Sequence, residues 1–425
     1  MNWQLTIKNL KNPSYLQSST MMFLFFASWG IWWSFFQLWL TSKQNGLGLS
    51  GSQVGTVFSI NSIASLVLMF IYGTLQDQLF IKRHLLIFNA VLATLIAPFF
   101  IFIYSPLIKT HFLLGVWLGA IFLSAAYLSA VGVLEATTER FSRVFGFAYG
   151  QSRAWGSFGY ALAALIAGFI FVKDPNLNFI GGSVIGLFLL LDLLFWRPQE
   201  ERDALKAIDE LKTDSSTPKL KDMLALLKLP VLWQIIIFVM FSWTFYNVFD
   251  QQMFPEFYTS LFSSTTLGQQ TYGTLNSIQV FVEALMLGLV PLLMHKIGVK
   301  KTLMLGTTIM FLRIGLCGLI SDPIAISCVK MLHSLEVPLS VLSIFRYFTL
   351  HFDTKLSATL YMIGFQIAAQ VGQVILSTPL GILRDSFGYS TTFKIIALIV
   401  LVTGIYGYFI IKNDNEFVNG QPLEK

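Results

Sequence analysis

Four ionisable residues lie where a chain usually keeps none. The run 324–343 is mostly Ile, Leu, Val, Met and small residues, yet Lys330, His333 and Glu336 sit in its middle. Arg313 lies inside the apolar run before it. In a lipid-spanning helix such a charge costs about 2.5–3.5 kcal/mol or more, so it faces a partner or a water-filled cavity. An acid, an imidazole and two bases together predict a proton relay or a substrate site. The plain alternative is a satisfied structural network. Spaced by three, residues 330, 333 and 336 fan across about one third of a helix circumference and can all face one cavity.

Three more constellations carry polar chemistry in apolar surroundings. Tyr246, Asn247 and Asp250 are followed by Gln251 and Gln252, a run too polar to face lipid. Tyr246 and Asp250 are one turn apart and can share a network with a base of the 323–350 run. Gln279 and Glu283 repeat the i, i+4 pattern. Glu135 ends one apolar segment and Arg153 opens the next, so an antiparallel hairpin brings them to similar depth. A planar guanidinium with paired donors and a carboxylate with acceptors suit vicinal sugar hydroxyls. A structural ion pair at two helix ends is the alternative. Tyr160 follows Arg153 by seven residues, on the same face, where a ring stacks on a pyranose or simply packs.

These residues need a membrane scaffold. The chain has 425 residues, 55% hydrophobic and 12% charged. Soluble domains carry about 25% charged residues, so the composition indicates a polytopic membrane protein. Spans need about 20 apolar residues. Twelve such segments are expected, near 17–41, 53–76, 85–105, 111–134, 150–172, 176–196, 231–253, 271–294, 301–320, 323–350, 357–383 and 391–412. The polar stretch Arg197–Lys228 separates six from six. The expected organisation is a bundle over 1–196, a cytoplasmic linker over 197–228 and a second bundle over 229–425. Few bases, among them Lys43, Lys109, Lys173 and Arg384, fall on the side opposite Lys82-Arg83, Arg140, Arg143, Lys296 and Lys300-Lys301. That bias places both termini in the cytoplasm and accounts for the net charge of +6 without nucleic acid. Residues 1–19 lack a signal-peptide pattern, so the first span is expected in the mature protein. Cys317 and Cys328 are expected as small buried hydrophobes outside any disulfide.

The turns at 73–83 and 291–301 both end in paired bases, a weak internal repeat that suggests two parallel repeats facing a midplane cavity. Gly73, Asp77, Lys82 and Arg83 partly match the signature turn of the major facilitator superfamily, with Gln78 and Phe80 departing from it. Over essentially the whole chain the sequence resembles the oligosaccharide:proton symporter family of that superfamily, the lactose permease-like proteins. The stretches that carry this are 98–104, 135–159, Tyr246-Asn-Val-Phe-Asp-Gln-Gln252, Arg313 and Lys330-Met-Leu-His-Ser-Leu-Glu-Val-Pro338.

The resemblance implies an all-α membrane protein: twelve transmembrane helices in two six-helix bundles, the major facilitator fold. It implies sugar binding by Glu135 and Arg153, with Ser157 where the lactose branch has a Cys and Tyr160 where it has a stacking Trp. It implies that His333 links sugar and proton sites, that Glu336 carries the proton beside Arg313, and that Tyr246, Asp250 and Lys330 form the surrounding network. Gln279 and Glu283 complete the expected sugar contacts. Asn247 and Ala369 stand where the lactose branch has an Asp/Lys pair; their joint loss leaves no orphan charge. The 153–160 and 376–381 stretches look closer to the sucrose permease branch. The expected activity is proton-coupled disaccharide symport, sucrose first, by alternating access, with raffinose, melibiose or lactose as the alternative. A drug/proton antiporter, a sugar sensor and an enzyme fit less well, since polar sugar-type residues are present and neither a signalling domain nor a catalytic motif is. The expected partners are sugar, proton and membrane lipid, with no cofactor, no metal and no nucleic acid, in a monomer at the cell inner membrane.

Substrate choice is testable at once. Val280 lacks the acid that the lactose branch places three residues before Glu283, which is displaced by about 4–5 Å along the axis. That exceeds hydrogen-bond tolerance. Excess unlabelled lactose should therefore barely reduce uptake of labelled sucrose, whereas strong inhibition would reverse the assignment.

Overall fold

The computed structural model describes residues 11–79, 82–210, 227–352 and 357–414, and these contain helix and no strand. Helices satisfy their own backbone hydrogen bonds, which a hydrocarbon environment demands. The helices are α1 (Pro13–Thr41), α2 (Gly51–Leu79), α3 (His84–Thr94), α4 (Ile96–Thr110), α5 (Phe112–Phe145), α6 (Tyr149–Phe171) and α7 (Asn176–Phe195). A short polar helix, α8, covers Gln199–Glu210. Then follow α9 (Pro230–Ser260), α10 (Thr265–Ile297), α11 (Val299–Leu319), α12 (Pro323–His351) and α13 (Thr359–Ile410).

Ten of these are long and apolar enough to cross a membrane, or eleven when α3 and α4, bent by 50°, count as one span. The difference from the twelve expected lies in α13, which joins the last two expected segments. Its 52 residues would measure about 78 Å at 1.5 Å per residue, more than twice a hydrocarbon core of about 30 Å. Gly388, with φ 75° and ψ 174°, interrupts its helical path. The linker expected over 197–228 is helical at its start, in α8, and its residues 211–226 lie outside those described.

Local signals set the helix ends. Asn12 accepts from Ser14 N and Tyr15 N and caps α1, with Pro13 at the first helical position. Asp322 accepts from Ala325 N and caps α12 ahead of Pro323. Gly146, at φ 68°, ends α5 in the left-handed conformation.

Packing divides the chain into two compact units that interleave in sequence. The first takes 11–48, 63–210 and 269–280; the second takes 49–62, 227–268 and 281–414. In the first unit, α1 packs along α6 and α7. Ser28 on α1 donates to Gly182 O at 2.8 Å and pairs with Tyr127 OH at 2.7 Å. Arg83, counted from sequence as a surface base, is instead buried. It pairs with buried Glu201 of α8, bridges to Trp196 O at 3.0 Å and lies over the Phe141 ring. Burial pulls this guanidinium below its ordinary value, against the opposing pull of Glu201. The side chain of Asp77, the other signature residue of this turn, lies outside those described.

In the second unit a core around Leu232, Ile235, Phe238, Leu303, Phe348 and Ile363 joins α9, α11, α12 and α13. The first turns of α2 lie against α13. Asp385 accepts from Gly51 N at 2.7 Å and Ser52 N at 2.8 Å, capping α2. A Cβ on Gly381 would stand 2.1 Å from Gly51 O, so this crossing tolerates only glycine. Both cysteines are free; Cys317 is buried as expected, whereas Cys328 is exposed.

The crossing makes a prediction. Gly381→Ala forces backbone apart and should lower the thermal stability of purified protein, with over-packing costing about 1–3 kcal/mol. Gly132→Ala, with nothing within 4 Å of its added carbon, should be neutral or stabilising by about 0.5–1 kcal/mol. Equal effects at both sites would refute the crossing.

Candidate functional site

The ionisable residues singled out from sequence fall into two clusters, one in each unit. The first spans the α5–α6 hairpin. Arg153 Nε donates to Glu135 Oε1 at 2.7 Å, and Arg153 Nη1 reaches Ser157 Oγ at 3.4 Å. The guanidinium lies over the Phe26 ring, 4.3 Å from its centroid. Gly156 makes room for that ring, since a Cβ there would meet it at 2.7 Å. Both charged side chains are about one-third exposed, so the pair is open to a ligand. Tyr160 lies on the same face and is half-buried. Its ring sits edge-on to Trp29 at 6.5 Å and against Gly30 of α1.

The second cluster is built on interruptions in α9 and α12. Helix α9 carries a wide π-helical turn at Val248–Met253 that contains Asp250, a distortion frequent at functional sites. Helix α12 breaks at Leu332, between Lys330 and His333, with Pro338 removing a donor shortly beyond. Arg313 of α11 is 0% exposed and so is Glu336. They form a two-point pair, Nε to Oε2 at 2.6 Å and Nη2 to Oε1 at 3.3 Å. Arg313 Nη1 also donates to Asp250 Oδ1 at 2.9 Å, and Lys330 Nζ donates to the same oxygen at 2.7 Å. The rings of Tyr246 and Phe249 flank Arg313, and Phe254 underlies Lys330.

His333 joins the acids. Its Nε2 lies 2.6 Å from Tyr246 OH and 3.2 Å from Asp250 Oδ2. Its Nδ1 lies 3.5 Å from Glu283 Oε2, beyond a good hydrogen bond. Nδ1 is therefore a buried polar atom with no hydrogen-bond partner. One imidazole thus faces a carboxylate at each nitrogen, and its tautomer decides which one receives the N–H.

In this cluster Arg313 and Lys330 pair with Asp250 and Glu336, and His333 lies between Asp250 and Glu283. Close pairing of this kind offsets the cost of taking charged groups out of water.

Among the other residues expected here, Gln279 is buried and belongs to the first unit's share of α10, whereas Glu283 belongs to the second's. Asn247 and Ala369 are both buried, with Thr244 Oγ1 donating to Ala369 O at 3.3 Å. Sequence reasoning missed Phe26, one of 40 phenylalanines, as the platform beneath Arg153. Among the described residues no group of three or more His, Cys, Asp or Glu side chains is arranged to hold a metal ion.

Membrane-length helices holding a buried network of ionisable side chains are the parts expected of a membrane transport protein. The model of the LacY proton/sugar symporter family matches residues 7–422, and the chain belongs to that family. It is 41% identical over 407 residues to a sucrose permease of Escherichia coli, covering 96% of this chain and 95% of that one. It is 32% identical to a raffinose permease of Escherichia coli (96% and 95% covered). It is 33% identical to a lactose permease of Klebsiella oxytoca (89% and 90% covered). Among solved structures the nucleoside transporter NupG superposes with a TM-score of 0.78 at 17% identity, covering 94% of this chain and 99% of that one. A D-xylose-proton symporter superposes with a TM-score of 0.65 at 14% identity, covering 96% and 99%. These two share the fold.

The charge balance is testable by unfolding. Asp250→Asn leaves Lys330 buried without its carboxylate, and breaking such a pair costs about 3–5 kcal/mol. Asp250→Asn with Lys330→Met should recover most of that loss in melting temperature. A double variant no more stable than the single one would show that the two residues are not coupled.

Proposed function

We propose that this protein carries sucrose into the cell in symport with protons, across the inner membrane, as a monomer. The observation that carries the reading is the buried pairing of Glu336 with Arg313, which also holds Asp250 and, through it, His333. Glu336 is its proton carrier. A proton added to either carboxylate oxygen displaces an Arg313 N–H, so loading and unloading are tied to movement of that arginine. His333 connects this chemistry to the sugar, because a sugar hydroxyl bonded to its unpartnered Nδ1 would fix the tautomer facing Asp250. Glu135 and Arg153 hold vicinal hydroxyls, Ser157 adds a further polar contact, and the Tyr160 ring stacks on a glucosyl face. Gln279 contributes a donor and an acceptor from α10.

Sucrose is favoured over lactose by the higher identity to a sucrose permease and by Val280 in place of an acid. A sucrose-containing trisaccharide remains the second substrate to test, given the raffinose permease similarity. For topology, we take the break at Gly388 as the division of α13 into two spans. That makes twelve, in bundles over 1–196 and 229–425 joined by a cytoplasmic 197–228 linker, with both ends in the cytoplasm.

Labelled sucrose, raffinose, lactose and melibiose should be offered to cells with and without a protonophore. Sucrose should accumulate only while the proton gradient stands; protonophore-resistant accumulation would exclude symport. Glu336→Gln should abolish accumulation while retaining sucrose exchange, and uphill uptake by this variant would remove the proton-carrier role. Arg153→Lys keeps the charge but loses the planar donors. It should lose most sucrose affinity, and a change within about twofold, under ~0.4 kcal/mol, would make Arg153 structural.

A further inference from the structure

Away from the charge cluster, the second unit has a groove of about 330 Å³ between α11 and the last turns of α13. Its lining includes Thr307, Thr308 and Leu312 of α11 with Gly404, Ile405 and Tyr408 of α13. Both threonine hydroxyls donate to their own helix, to Leu303 O at 3.1 Å and Met304 O at 2.8 Å. The groove is thereby lined with methyl and methylene groups. Leu312, Ile405 and Tyr408 are exposed, so it opens outward from the helices.

One end of the groove is basic. Lys300, Met304, Thr308 and Leu312 recur every four residues along one stripe of α11. Lys300 Nζ lies 4.9 Å from the Tyr408 ring centroid. Lys301 beside it and Lys412, four residues beyond Tyr408, are exposed. Among the described residues Asp414 lies near this end, and its two oxygens share the Val299 N–H at 3.0 Å. From Lys300 to Leu312 the stripe rises about 18 Å, close to one leaflet of a hydrocarbon core of about 30 Å.

We propose that this groove is a binding site for an anionic phospholipid, with an acyl chain along the methyl-lined stripe and the phosphate at Lys300 and Lys301. An apolar groove alone would accept any lipid chain. The bases at one leaflet-length end make the site selective for a net-negative headgroup. Tyr408 suits the boundary, since its ring lines the groove and carries the Lys300 ammonium over it. The site is independent of the sugar and proton chemistry.

The test counts bound lipid and does not depend on transport. Full-length protein in mild detergent is titrated with phosphatidylglycerol or with phosphatidylcholine of the same chains, and retained lipid is counted by native mass spectrometry. Phosphatidylglycerol should be retained in preference. Lys300→Gln and Lys301→Gln should each weaken that retention about fivefold and leave phosphatidylcholine unchanged. Thr308→Trp, which fills the groove, should lower retention of both lipids. Equal retention of the two lipids by the unsubstituted protein overturns the proposal, whatever the variants do. So does undiminished phosphatidylglycerol preference in the double lysine variant, or a co-purifying polypeptide in place of lipid.

Discussion

One carboxylate, Asp250, is claimed by three neighbours. Arg313 and Lys330 both donate to its Oδ1, and His333 approaches its Oδ2. Burying these groups costs several kcal/mol per ion, which only close pairing offsets. That requirement explains the local architecture. The π-helical turn in α9 projects Asp250 inward, and the break in α12 lets Lys330 and His333 approach it from two helix segments. Arg313 is held by two acids at once, so a change at Glu336 is felt at Asp250, and through Asp250 at His333 and Glu283. The coupling needs no long pathway, since every step is a contact of 3.5 Å or less.

The first unit follows a different rule. Glu135 and Arg153 are partly exposed, and the pair leaves donors and acceptors available. The Phe26 ring under the guanidinium restrains its plane without consuming its N–H groups. Such a pair suits reversible binding of neutral, hydroxyl-rich ligands. The buried network of the second unit suits storage of a charge. The two chemistries are kept on separate sets of helices.

Much of this was legible in the sequence because charges in apolar helices are costly and therefore informative. Arg313, Lys330, His333 and Glu336 stood out for that reason, and the spacing of the last three put them on one face of α12, with Arg313 reaching Glu336 from α11. Glu135 and Arg153 met as a short hairpin requires. What was hidden depends on long-range packing or broken periodicity. The expected network between Asp250 and a base of α12 is formed with Lys330, but the π-helical turn that carries Asp250 leaves no mark in a 3.6-residue pattern. The Arg83–Glu201 pair joins residues 118 apart, one in a turn and one in a stretch that reads as polar linker. Nothing in the pattern distinguishes Phe26 from its many counterparts. The interleaving of α2 and α10 between the units also follows from packing and leaves no sequence mark.

The central claim is that the cluster around Asp250 and Glu336 couples sugar entry to proton entry. The most direct measurement is the pH of a lightly buffered, de-energised cell suspension on addition of sucrose, recorded alongside labelled sucrose uptake. The account predicts alkalinisation that accompanies sucrose entry and is absent in Glu336→Gln cells that still exchange sucrose. Sucrose entry without alkalinisation, or unchanged alkalinisation in the Glu336→Gln variant, would contradict it.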